Sequence, residues 1–141
     1  MRLVIDTNIL VSALRSSQGA SRAVLNLLYE NPQGFTPVLS VPLYHEYQDV
    51  LCRPGMVPIP RKDIMAFCRA FAAMSVHQPI YFLWRPQLPD PKDEMALELA
   101  VAAGADYIIT HNISDFPITS HFGVTALTPG KFLSQIHIKT P

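Results

Sequence analysis

The chain has 141 residues and a mass of 15.7 kDa, the size of one domain, so a single unit over residues 1–141 is expected. Hydrophobic residues make up 49% of it, which excludes intrinsic disorder, while charged residues make up only 16%, below the roughly 25% of ordinary soluble domains. Eleven basic residues balance eleven acidic ones, which excludes a strongly basic coat for nucleic acid and leaves little protection against self-association. A homodimer or a covered surface is therefore expected.

No apolar run approaches the roughly 18 residues of a membrane span. Met1-Arg2-Leu3-Val4-Ile5-Asp6 places a carboxylate where a signal peptide would continue its apolar stretch. These features point to a cytoplasmic protein. Cys52 and Cys68 form neither a CxxC pair nor a disulfide framework, and both read as small buried hydrophobes.

Leu3-Val4-Ile5 is a short strand-like run ending at the cap-type residues Asp6-Thr7-Asn8, and a helical pattern follows through Leu14. Ser21 to Glu30 repeats the helical pattern until Asn31-Pro32-Gln33-Gly34 stops it. Pro37 to Val41 predicts a second strand, and Pro42 opens a helix running to about Arg53. A loop leads to a helix over Arg61–Met74, and Ser75–Phe82 contains a short strand broken by Pro79. Trp84 to Pro91 is proline-rich loop. A helix then runs from Pro91 to about Ala103 and closes at Gly104. Asp106–Thr110 predicts a strand, His111–Asp115 a polar turn, Val124–Leu127 a last strand, and Pro129 a helix to about Ile136. Buried-type strands alternating with helices predict an α/β fold, a three-layer α/β/α sandwich around a mainly parallel sheet.

Ligands of open parallel sheets bind beyond the carboxyl ends of the strands. Asp6 lies at such an end, and Asn112 and Asp115 lie just past another. Asp6 is either a helix cap or a rim carboxylate, and Asp115 either an Asx-turn residue or its partner. Glu46, between Leu43 and Val50 on its helix, projects from the apolar stripe, where a carboxylate needs a partner. The other phase leaves it solvated beside Asp49. Asp93 either supports the helix start from its third position or acts from the face it shares with Leu97 and Ala100, with Asp90 as the cap and Glu94 and Glu98 on a wetter row. Carboxylates that converge repel one another, and a divalent cation resolves the conflict. All-oxygen donors suit Mg²⁺ or Mn²⁺, and the five histidines show no paired spacing for zinc.

Val4-Ile5-Asp6-Thr7-Asn8-Ile9-Leu10-Val11-Ser12-Ala13 resembles the opening motif of PIN-domain ribonucleases. Glu46 stands where that family has its second acid. Asp90-Pro91-Lys92-Asp93-Glu94 with Gly104-Ala105-Asp106-Tyr107-Ile108-Ile109-Thr110 resembles the third block, and His111-Asn112-Ile113-Ser114-Asp115-Phe116 the fourth. The series spans residues 3 to 127 in the family's order, closest to the bacterial toxin-like branch with its VapC-type toxins. The departure is Asn112, where many relatives carry Asp.

The resemblance implies metal-dependent cleavage of RNA and a cognate antitoxin as partner. With the carboxylate pattern it implies that Asp6, Glu46, Asp93 and Asp115 hold Mg²⁺ or Mn²⁺, with Thr7, Asn8 and Asn112 positioning phosphate or water. Arg15, Arg53, Arg85 and Lys92 are candidates for the RNA backbone, and Trp84 for stacking on a base. The alternative is a non-catalytic RNA-binding or scaffold protein on the same fold, to which Asn112 lends weight. A phosphatase of the HAD type resembles Asp-x-Asp after its first strand, and Asn8 at the second position sets that reading aside.

Overall fold

A computed structural model describes residues 1–30, 34–80, 94–116 and 122–139. The elements are β1 (Arg2–Ile5), α1 (Thr7–Arg15), α2 (Ala20–Glu30), β2 (Thr36–Leu39), α3 (Val41–Leu51), α4 (Arg61–Met74) and β3 (Val76–His77). They continue with α5 (Glu94–Ala102), β4 (Tyr107–Ile109), a 3₁₀ turn (Ile113–Asp115), β5 (Thr125–Leu127) and α6 (Pro129–Lys139). The expected Pro91–Asp93 start of α5 lies outside the described residues, as do Trp84, Arg85, Asp90 and Lys92.

The five strands form one parallel sheet in the order β3-β2-β1-β4-β5. Leu3, Val4 and Ile5 are all fully buried, as are Ile108 and Ile109. Successive strand residues face opposite sides of a sheet, so a run buried at every position has cover on both faces. The result is a three-layer α/β/α sandwich, the architecture expected from the alternating apolar runs.

Local chemistry sets the element ends. Ser40 caps α3 by accepting from the Leu43 amide, with Pro42 in the first turn. The Thr128 hydroxyl accepts from the Lys131 amide at the start of α6. Gly104 closes α5 at φ +63°, where the Ala105 amide bonds to the Ala100 carbonyl and the Gly104 amide to that of Val101. That pair of bonds is a Schellman cap, and the left-handed residue it needs is glycine.

Two readings shift. The buried stripe of α3 is Leu43, Tyr47 and Leu51, so Glu46 sits at its margin and Val50 is half-buried. Cys68 is buried as expected, but Cys52, at the C-terminal cap of α3, is only partly buried against the edge of the core. Glu98, assigned to the wetter row of α5, is half-buried, since Ala96, Leu97, Leu99 and Ala100 are all buried around it. Among the described residues no helix is long and apolar enough to cross a membrane.

Candidate active site

From β1 the chain first builds outward through β2 and β3, then returns to the other side of β1 for β4 and β5. Connections therefore diverge between β1 and β4, and such a switch point opens a crevice at the carboxyl ends of those strands. The register pairs Ile5 with Ile109, so the residues that follow, Asp6 and Thr110, stand level across the crevice. The Asp6 amide donates to the Ile109 carbonyl at 2.9 Å, holding the two strand ends together.

Asp6 is both a helix cap and a rim carboxylate. Its Oδ1 accepts from the Thr7 amide at 2.8 Å, which caps α1. Its Oδ2 accepts from the Thr110 hydroxyl at 2.7 Å and from the Asn8 side-chain amide at 3.3 Å. Burial lifts the Asp6 pKa above the usual carboxylate range, while the bonds from Thr110 and Thr7 oppose the rise. The Asp115 carboxylate adds to it and His111 subtracts. Asp6 and Asp115 are thus near enough to feel each other's charge.

Glu46 reaches the same turn from α3. The Thr7 hydroxyl donates to Glu46 Oε2 in a short hydrogen bond. Next to Glu46 on α3, the buried Tyr47 hydroxyl donates to the carbonyl of Ile5, the last residue of β1. Burial and the charges of Asp6, Glu46 and Cys68 push the Tyr47 phenol well above its ordinary value, so it stays a donor. Asp49, the solvated neighbour, pairs instead with Arg53 at 3.0 Å.

Asn8 ties the rim to the loop after β4, its Oδ1 accepting from the His111 amide at 3.3 Å. The Asn112 amide donates to the Thr110 hydroxyl at 3.1 Å, and the 3₁₀ turn then carries Asp115 back toward Asp6. His111, a turn residue in the sequence reading, is exposed and shares a 3.3 Å hydrogen bond with Ser21. The structure brings together Asp6, Thr7, Asn8, Glu46, Asn112 and Asp115. Asp93 lies outside the described residues, and among the described ones no three acidic, histidine or cysteine side chains form a ready metal cage.

Thr110 and Tyr47 were not among the residues singled out. Thr110 carries a faint signal, being the first polar residue after the strand Tyr107–Ile109, whose last two residues are buried. Its link to Asp6 depends on the β1–β4 register, which one sequence does not display.

A family model described as the PIN domain matches residues 2–114. The chain belongs to the PIN-domain family. Its fold is also that of a chain in the crystal structure of VapBC2 from Rickettsia felis bound to a DNA fragment from their promoter. That match has a TM-score of 0.63 at 15% identity and covers 90% of this PIN-domain chain and 99% of the other. At such identity the likeness speaks to fold alone. Comparison with curated proteins gives no match.

Proposed function

We propose that this PIN-domain protein is a metal-dependent endoribonuclease that hydrolyses phosphodiester bonds of RNA, acting as the toxin of a cytoplasmic toxin–antitoxin pair. The carrying observation is the convergence of Asp6 with Asp115, and through Thr7 with Glu46, at the switch point of a parallel sheet. Family membership supports the nuclease activity, and the fold shared with promoter-bound VapBC2 supports the antitoxin partner.

The donor set suits a hard divalent cation. Every candidate ligand is a carboxylate, and the half-buried Asp6 bears a like-charge neighbour that a cation would neutralise. Asp6, Glu46, Asp93 and Asp115 would hold Mg²⁺ or Mn²⁺, which supplies an activated water and neutralises charge on the attacked phosphate. The remaining residues orient these acids. Thr110 and Asn8 fix the rotation of Asp6, the Thr110 bond favours its ionised form against burial, and Thr7 holds Glu46 to the same turn. Asn112, a neutral amide where relatives carry an acid, leaves the negative charge of this loop to Asp115. The low charged fraction, with Tyr29 and Val41 exposed, supports a homodimer, which light scattering at micromolar concentration tests.

The decisive experiment is cleavage of labelled single-stranded RNA with Mn²⁺ and with EDTA. Activity is expected with Mn²⁺ alone, and Asp6→Asn and Asp93→Asn should each lower it by orders of magnitude. Full activity in either variant overturns the assignment. A wild type that binds RNA yet never cleaves it leaves the scaffold reading.

A further inference from the structure

Beside the acidic centre runs a groove of about 550 Å³ with Thr7, Asn8 and Ser12 on one wall and Arg15 at its far end. Asn8, Ser12 and Arg15 lie at i, i+4 and i+7 of α1, one stripe of the helix, so Arg15 sits about 10 Å beyond the rim along the helix axis. Val11, Val50 and Met56 supply an apolar surface between these polar ends.

The Arg15 side chain is held in place. Its Nε donates to the Met56 carbonyl at 2.6 Å, and its Nη2 approaches the Met56 sulfur at 3.5 Å. Among the described residues it has no acidic partner, whereas Arg53 is paired with Asp49. A guanidinium fixed by a backbone carbonyl and left uncompensated is preorganised for an anion, because little side-chain freedom remains to be lost on binding. A helix C-terminus favours a cation there in any case, but does not require the bond to Met56.

Resting on the nuclease reading, we propose that this groove is a subsite for one nucleotide of the RNA flanking the scissile phosphate. Its phosphate lies on Arg15 and its base against Val11, Val50 and Met56. The subsite binds substrate without taking part in the chemistry, so it acts on affinity.

The test compares wild type, Arg15→Gln, Arg15→Lys and, as a control away from the groove, exposed Lys131→Gln on a labelled single-stranded RNA pool of random sequence. Binding is measured in EDTA across salt concentrations, and cleavage in Mn²⁺. Arg15→Gln should raise Kd and KM about tenfold while kcat stays near the parent's. The slope of log affinity against log salt should flatten by about 0.7, the value for one single-strand phosphate contact, and Arg15→Lys should restore it. An unchanged slope in Arg15→Gln overturns the subsite, as does an equal flattening in Lys131→Gln, which marks general charge. A wild type that neither binds nor cleaves RNA overturns the nuclease reading itself, and does so before any substitution is made.

Discussion

The Thr110 hydroxyl donates to Asp6 Oδ2 at 2.7 Å, joining the last turn of β4 to the first turn after β1 across the crevice of the sheet. Thr110 is fully buried, and the same oxygen accepts from the Asn112 amide. One hydroxyl therefore orients the rim carboxylate and anchors the loop that carries Asp115. Its proton also stabilises the ionised form of Asp6 against burial.

Replacing Thr110 by Val keeps the shape and removes these bonds, together with the longer one accepted from the Asn8 side-chain amide at 3.5 Å. Activity should fall about 10- to 100-fold, the usual cost of losing a group that orients a metal ligand. Stability should fall by about 1–2 kcal/mol, because the half-buried Asp6 carboxylate and the Asn112 amide lose their partner. Thr110→Ser keeps the hydroxyl and should recover most of the activity. Cleavage rates and urea melts check both, and a fully active Val variant would falsify the role.

The raised pKa of Asp6 fixes the sign of a second expectation. Its ordinary value is 3.8 and the folded value is higher, so the native state binds more protons between the two. The metal-free protein should be most stable below about 3.8 on this account and lose stability as pH rises through the folded pKa. Asp6→Asn keeps the cap on α1, since Asn and Asp cap equally well, and removes that loss. Urea midpoints in EDTA should therefore converge at low pH and separate in the mutant's favour on approaching neutrality. Mn²⁺ should reverse the order by stabilising wild type, by about 2.7 kcal/mol at a hundredfold excess over its dissociation constant. A wild type indifferent to Mn²⁺ at neutral pH contradicts a cation site at Asp6.

The strands were legible because a parallel sheet covered on both faces makes each strand a continuous apolar run, as in Leu3-Val4-Ile5 and Tyr107-Ile108-Ile109. Helix ends followed from short-range signals at Pro42, Gly104 and Pro129, while the capping roles of Ser40 and Thr128 came from the structure. Asp6, Glu46 and Asp115 could be picked out as acids at strand ends or against apolar stripes. What stayed hidden depends on pairings distant in sequence. Thr110 reaches Asp6 through 104 intervening steps of chain, and only the register makes them neighbours. The phase of α3 was misread by one position because Tyr47, with its apolar ring and polar tip, outranks Val50 as the buried residue.

Cysteine reactivity gives a test away from the site. Burial, with the neighbouring Cys52, pushes the Cys68 thiol up to about 11, so almost no thiolate forms near neutrality. Cys52, half-exposed at the end of α3 with its sulfur 3.9 Å from that of Met65, is the accessible one. Brief iodoacetamide treatment of native protein at about pH 8 should label Cys52 and spare Cys68, while urea should expose both. Peptide mass spectrometry reads the outcome, and equal native labelling contradicts the burial assigned to Cys68.

The last expectation concerns the bond between the Tyr47 hydroxyl and the Ile5 carbonyl. It lies one residue from Glu46 on α3 and one from Asp6 on β1, so it sets the distance between the elements bearing the two acids. Tyr47→Phe removes the donor and leaves the ring in place against Phe71, which it meets edge-on at 5.6 Å. The loss should be about 1–2 kcal/mol, a fall of roughly 3–6 °C in Tm for a domain of this size. Because the folded phenol is held well above its ordinary value of 10.0, it stays protonated and the deficit should be constant from about pH 5 to about pH 9. Above about 10 the unfolded tyrosine ionises while the folded one resists. The parent's advantage should then shrink as pH rises, since Phe has no proton to lose. If the bond also positions Glu46, kcat should fall severalfold with KM unchanged, an effect a merely weaker fold would not produce well below Tm. Urea titrations at several pH values, read beside the kinetics, separate these roles. A deficit that grows above pH 10 would contradict a neutral buried phenol.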